Sequence, residues 1–146
     1  MTDTIVQLRE ETGAGVMDCK KALDDAGGDY EKAKLLIIER GAAKATNRQE
    51  RKTGAGVIES YLHNGRIGAL VEVRCETDFV AKTDAFKTLA RDVAMHVASM
   101  SPETVDELLT QPFVRDESVT IGDLVTRTIA TTGENIKIER FCRFEL

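Results

Sequence analysis

The chain has 146 residues, 42% hydrophobic and 31% charged, with a formal net charge of −5, a length that suits one compact domain or a small module joined to a modest core. It holds no apolar run near the roughly 18 residues of a membrane span, and its start, MTDTIVQLREE, has neither the basic nor the apolar region of a signal peptide. The acidic balance speaks against a surface made to bind nucleic-acid phosphates, so a cytoplasmic protein without membrane or direct nucleic-acid contact is expected.

Residues 1–41 read as three short helices. Ile5 and Leu8 mark a face of the first, and Gly13-Ala14-Gly15 breaks it. Val16, Cys19, Leu23 and Ala26 recur at helical spacing in the second, which Gly27-Gly28 ends. Asp29 can cap the third, whose stripe is Tyr30, Ala33 and Ile37, and Gly41 is expected to stop it. Residues 42–53, AAKATNRQERKT, carry Lys44, Arg48, Arg51 and Lys52 against Glu50 and no large apolar side chain. They read as a hydrated basic linker or a solvated helical extension.

From Gly54 the hydrophobic period changes to two, and residues 54–146 read as an α+β core. Val57–Leu62 is strand-like, Asn64-Gly65 signals a hairpin, and Ile67, Ala69, Val71, Val73 and Cys75 share one face of the return strand. A helix follows with Phe86, Leu89, Ala90, Val93, Val97 and Met100 on one stripe. Ser101 and Pro102 are expected to start a short helix carrying Val105, Leu108 and Leu109. Another is predicted over about 121–132, with Thr120 as its cap and Ile121, Leu124, Val125 and Thr128 inward. The last strand runs from Asn135 to Phe144. Ile136, Ile138, Cys142 and Phe144 are expected on one face, and Phe141 on the other. The fold class is therefore α+β: a helical bundle, a linker, and a three-stranded antiparallel sheet with helices on one face. Its other face would be wet or paired.

No catalytic constellation emerges. There is no Walker-type phosphate loop, and Gly13-Ala14-Gly15 follows a helix rather than a strand, which rules out a dinucleotide fingerprint. The two histidines, His63 and His96, have no partner at metal-ligand spacing. Cys19, Cys75 and Cys142 are odd in number and widely spaced, so reduced thiols are expected. Binding rather than catalysis is the expected role, with no metal and no cofactor.

The stretch CETDFVAKTDAF, residues 75–86, places Phe79 beside Asp78 at a strand–helix corner. On the residues alone three fates are open to this Phe: folding into the core, stapling the next helix, or filling a pocket on a partner.

That stretch, together with LREETGAGVMDCKKAL at 8–23, the following GDYEKA, and GENIKIERF at 133–141, resembles the elongation factor Ts family of guanine-nucleotide exchange factors for elongation factor Tu. The segments match in order, and with the elements between them the resemblance spans the chain. One departure is Thr83, where the family pattern has Asn. Another is length, since longer members carry a second core subdomain, a helical hairpin and a C-terminal helix. The resemblance implies a UBA-like bundle at 1–41 that docks on the partner through Arg9, Val16, Met17 and Lys20. It implies that Thr77, Asp78, Phe79 and Val80 enter beside the partner's Mg²⁺ and phosphate site. It also implies a homodimer in which two sheets stack, with Phe141 and Cys142 at the interface. Two other readings stay open: an adaptor binding only through its bundle, and a small enzyme using His63 or His96 with Asp78.

Overall fold

A computed structural model describes residues 2–146. Two apolar clusters organise it. The smaller lies among α1 (Thr2–Thr12), α2 (Val16–Asp25) and α3 (Tyr30–Arg48). Leu8, Cys19, Ala22, Leu23, Ala33 and Ile37 fill it. The α1 helix stops where Gly13 takes a left-handed φ of 72°, a conformation costly for any residue with a Cβ. Asp29 caps α3 as expected, accepting a hydrogen bond from the Lys32 amide at 3.0 Å.

The stop expected at Gly41 is corrected: α3 runs on to Arg48. Gly41 is buried, and a Cβ there would lie 3.4 Å from that of Ala130. Its small size lets another helix approach, and that requirement outweighs the weak helix propensity of glycine. Ala45, beyond it, is buried in the larger cluster, so α3 enters both cores.

The larger cluster lies beneath a sheet of order β1-β2-β5, built from β1 (Ala55–His63), β2 (Ile67–Cys75) and β5 (Lys137–Glu145), both pairings antiparallel. The hairpin turn is Asn64-Gly65, with φ of 52° and 66°, the positive pair that a two-residue turn with right-handed strand twist requires. Ala69, Val71, Val73 and Cys75 are buried, as the alternation predicts. After the one-turn α4 (Asp78–Ala81), α5 (Asp84–Met100) covers this face with Phe86, Leu89, Ala90, Val93 and Val97. Burying Phe86 alone contributes about 1.5–3 kcal/mol. Met100, placed on the same stripe by its spacing, is 46% exposed at the helix end.

The short helix α6 (Val105–Thr110) starts later than Ser101 and Pro102 imply. Ser101 is taken up as the left-handed C-cap of α5, its N–H bonded to the Val97 carbonyl, and Thr104 caps α6 instead. A ribbon follows that the sequence did not signal, β3 (Pro112–Phe113) paired with β4 (Asp116–Thr120). A two-residue strand is too short for a period to appear. The helix α7 (Ile121–Thr132) opens on the predicted Thr120, in a capping box with Asp123, and packs against α3, α5 and α6.

The expected alternation of β5 fails at a bulge. Glu72 pairs with Arg140 but Val73 pairs with Ile138, leaving Glu139 as the extra residue. A bulge shifts the face of every later side chain. Ile138 points to the core, and Phe141, opposite buried Val71, packs there too. Cys142 and Phe144 face outward, opposite Leu70 and Gly68. The outer face of the sheet is therefore open: apolar toward the hairpin end, where Leu62, Leu70 and Phe144 are exposed, and charged toward the other end, where Glu72 pairs with Arg74 and Arg140 beside exposed Ile58.

Candidate functional site

The corner between β2 and α5 is built by two helix caps in seven residues. Thr77 is extended, and its Oγ1 accepts from the Val80 amide at 3.3 Å, starting α4. Thr83 Oγ1 donates to the Val80 carbonyl at 2.7 Å and accepts from the Phe86 amide at 3.3 Å, starting α5. The Thr found in place of Asn is thus a working cap. Val80 and Ala81 are buried and anchor the corner from below. Asp78 and Phe79 are exposed, and Phe79 keeps 82% of its surface. Neither structural fate open to this ring is taken, because its neighbour Val80 occupies the core position.

Behind the corner stands Glu134, in the turn between α7 and β5. Its Oε1 accepts from the amides of Glu76 and Thr77 at 3.1 and 2.9 Å, and its Oε2 from the Thr77 hydroxyl at 2.7 Å. The Asn135 amide donates to the Glu76 carboxylate at 2.8 Å. The Asn135 side chain, buried with its residue at 2% exposure, donates to the carbonyls of Gln49 and Arg51. The Cys75 thiol donates to the Thr77 carbonyl at 3.1 Å. Burial pushes the Cys75 thiol above its ordinary pKa, and Glu134 adds to the effect, so it stays protonated and inert as expected of a core cysteine. Sequence reading assigned no role to Glu134 or Asn135. Two signals were available: their place in the GENIKIERF segment at 133–141 and their position just after Gly133, the left-handed cap of α7.

On the bundle, Arg9, Val16, Met17 and Lys20 are all exposed, Met17 at 73%. Arg9 and Val16 line one shallow groove between α1 and α2 with Ile5 and Val6, so the fold joins residues from two helices there. Val6, 49% exposed, was not singled out by its spacing. Met17 and Lys20 are exposed one turn apart on α2 and do not line that groove. Phe141 is half-buried under the sheet, whereas Cys142 is exposed above it.

His63 is exposed and stacks on Tyr61. His96 is buried; its Nε2 lies 2.9 Å from Gln111 Oε1, and its Nδ1 accepts from the Val114 amide. The hydrogen-bond partners of the two rings are Tyr61 for His63 and Gln111 and Val114 for His96, and Asp78 is not among them. No group of three His, Cys, Asp or Glu side chains among the described residues is arranged to hold a metal ion. No described helix is long and apolar enough to cross a membrane.

A family model described as Elongation factor TS matches residues 76–146, a span that holds the corner and the Glu134 turn. The chain is 42% identical to elongation factor Ts of Carboxydothermus hydrogenoformans, over 97% of this chain and 87% of that protein. It belongs to the elongation factor Ts family. Elongation factor Ts of Rubrobacter xylanophilus is 41% identical over 99% of this chain and 97% of its own length. That of Coprothermobacter proteolyticus is 41% identical over 97% and 95%. These alignments extend over 188 to 190 positions against 146 residues here. The elongation factor Ts relatives thus carry internal residues with no counterpart in this chain.

Proposed function

We propose that this protein is a guanine-nucleotide exchange factor for elongation factor Tu in translation. Residues 1–41 form its UBA-like docking module, residues 42–53, the core-packed end of α3 to Arg48 and the short stretch after it, join it to the core, and residues 54–146 carry the exchange tip and a dimer interface. The observation that carries the reading is the exposure of Phe79 on a doubly capped corner beside Asp78. A large ring held in solvent by a rigid turn costs solubility and adds nothing to the fold, which is the signature of an anchor for a partner's pocket.

The mechanism is differential binding. Arg9, Val16, Met17 and Lys20 dock the bundle. Phe79 then enters the partner next to its Mg²⁺ and phosphate site, with Asp78 disturbing the magnesium environment. Mg²⁺ demands near-octahedral geometry, so a small displacement of its ligands loosens GDP. Burying Phe79 supplies about 1.5–3 kcal/mol for that displacement. Reciprocity fixes the rest: the factor by which this protein weakens GDP is the factor by which GDP weakens this protein. A coupling of about 3 kcal/mol, expressed in the off-rate, accelerates release roughly a hundredfold. GTP in excess then displaces the exchanger. No covalent bond changes, so the protein is a binding catalyst of release rather than an enzyme of a chemical step, and it needs no cofactor.

The open sheet face supports a homodimer. Two such faces stack at about 10 Å in a sandwich, here through Ile58, Leu62, Leu70, Cys142 and Phe144. Phe141, which the alternation had placed outward, supports that face from beneath.

Stopped-flow release of fluorescent GDP from elongation factor Tu tests the tip. The wild type accelerates release, and Phe79→Ala still binds but accelerates at least about tenfold less. Equal acceleration by both would refute the wedge role of Phe79.

A further inference from the structure

Building on this exchange reading, we propose that Glu134 is the positioning residue of the tip, and that with Asn135 it ties the tip to the exit of the docking bundle. A four-residue helix such as α4 cannot hold itself. Val80 and Ala81 fix its depth by burial, but burial is non-directional and does not set where Asp78 and Phe79 point. Direction comes from Thr77, and three donors of the Glu76–Thr77 segment converge on the Glu134 carboxylate from 57 and 58 residues away in sequence. The Thr77 hydroxyl donates to Glu134 and in the same geometry accepts from Val80. Glu134 therefore orients the hydroxyl that caps the tip, and donation to a carboxylate makes that hydroxyl a better acceptor.

Thr77 is exposed and Glu134 is half-buried. Water can thus replace the lost hydrogen bonds energetically when the carboxylate is removed, but it cannot restore their direction. This separates a positioning role from a structural one. The same turn reaches the other way. Asn135 holds the carbonyls of Gln49 and Arg51, one and three residues past α3, and its amide binds Glu76. Dock and tip are thereby anchored to adjacent residues. Docking of the bundle delivers the tip in a fixed orientation, without the entropy loss a free corner would incur on binding.

The test uses the full chain and Glu134→Ala, Glu134→Gln, Phe79→Ala and the double Phe79→Ala/Glu134→Ala variant. Stopped-flow release of fluorescent GDP from elongation factor Tu, at rising exchanger concentration, gives a maximal rate and a half-saturating concentration. Hydrogen exchange on the free protein reads the Glu76 and Thr77 amides. Glu134→Ala is expected to lower the maximal rate about tenfold or more while half-saturation moves less than about threefold. Glu134→Gln keeps an oxygen for both backbone amides and restores the rate to within about threefold. The double variant is slower than Phe79→Ala by a smaller factor than Glu134→Ala is slower than the wild type, because the ring is one of the two side chains the brace positions. In Glu134→Ala the Glu76 and Thr77 amides lose protection, while Val71, inside the β2–β5 ladder, keeps it. An unchanged maximal rate in Glu134→Ala, or a double variant slowed by the product of the two single effects, overturns the proposal. If the wild type releases no GDP the exchange reading itself fails. Hydrogen exchange then decides the brace alone, unchanged protection in Glu134→Ala overturning it and lost protection upholding it.

Discussion

Phe79 and Val80 are adjacent apolar residues with opposite fates, and the difference lies in one turn of helix. Thr83 is a residue type that caps helices and does cap α5, while Thr77, placed by the resemblance only at the tip, caps α4 as well. Which of the two apolar side chains would face the core was not readable, because four residues carry no period. Glu134 was less readable still, since its bonds span more than fifty residues of sequence. His96 shows the same limit. Its spacing placed it beside the apolar stripe, yet it is fully buried, with one ring nitrogen against Gln111 and the other accepting from Val114. Burial holds it below its ordinary pKa of 6.5, a shift that the Gln111 hydrogen bond opposes. The unfolded chain therefore takes up this proton first as pH falls, so stability is full above about 6.5 and declines below it, toward the folded-state pKa. Nearby Asp92, paired with Arg115, is raised above 3.8 by burial and contributes the opposite slope further into acid. Urea unfolding at pH 7.5 and 5.5 should show lower stability at 5.5 for the wild type, and His96→Gln should flatten most of that difference.

At the scale of elements, long periodic segments were legible and close approaches were not. The stripe of α5, the β1–β2 hairpin and the start of α7 follow from period and cap chemistry. The continuation of α3 past Gly41 does not, because the reason for a glycine there is Ala130, on another helix. The β5 bulge is hidden for a related cause: an extra residue is defined only against its partner strand. The ribbon β3–β4 is too short to have a pattern at all. Gly41→Ala gains helix propensity of about 1 kcal/mol against a contact that is just tolerable, so stability holds or rises slightly. Gly41→Leu forces α3 from α7 and costs about 1–3 kcal/mol. Denaturant midpoints of the two variants check this, and a neutral leucine would contradict the close-approach argument.

For the whole molecule, an acidic chain joins a helical bundle to a sheet covered by helices on one face and open on the other. The open sheet face is where a second copy is expected. Sedimentation equilibrium should give a dimer for the wild type and a monomer for Leu62→Lys/Phe144→Lys, since the four lysines that a dimer would bury lose more in desolvation than the face gains. A monomeric wild type at micromolar concentration would remove the sandwich from the account. Exchange, however, rests on coupling between two ligands of one partner. It is tested most directly by calorimetry of this protein against elongation factor Tu, once free of nucleotide and once saturated with GDP. Reciprocity predicts binding to the nucleotide-free form roughly a hundredfold tighter. Equal affinity for the two forms would mean that docking does not loosen GDP, and the exchange mechanism would fall with it.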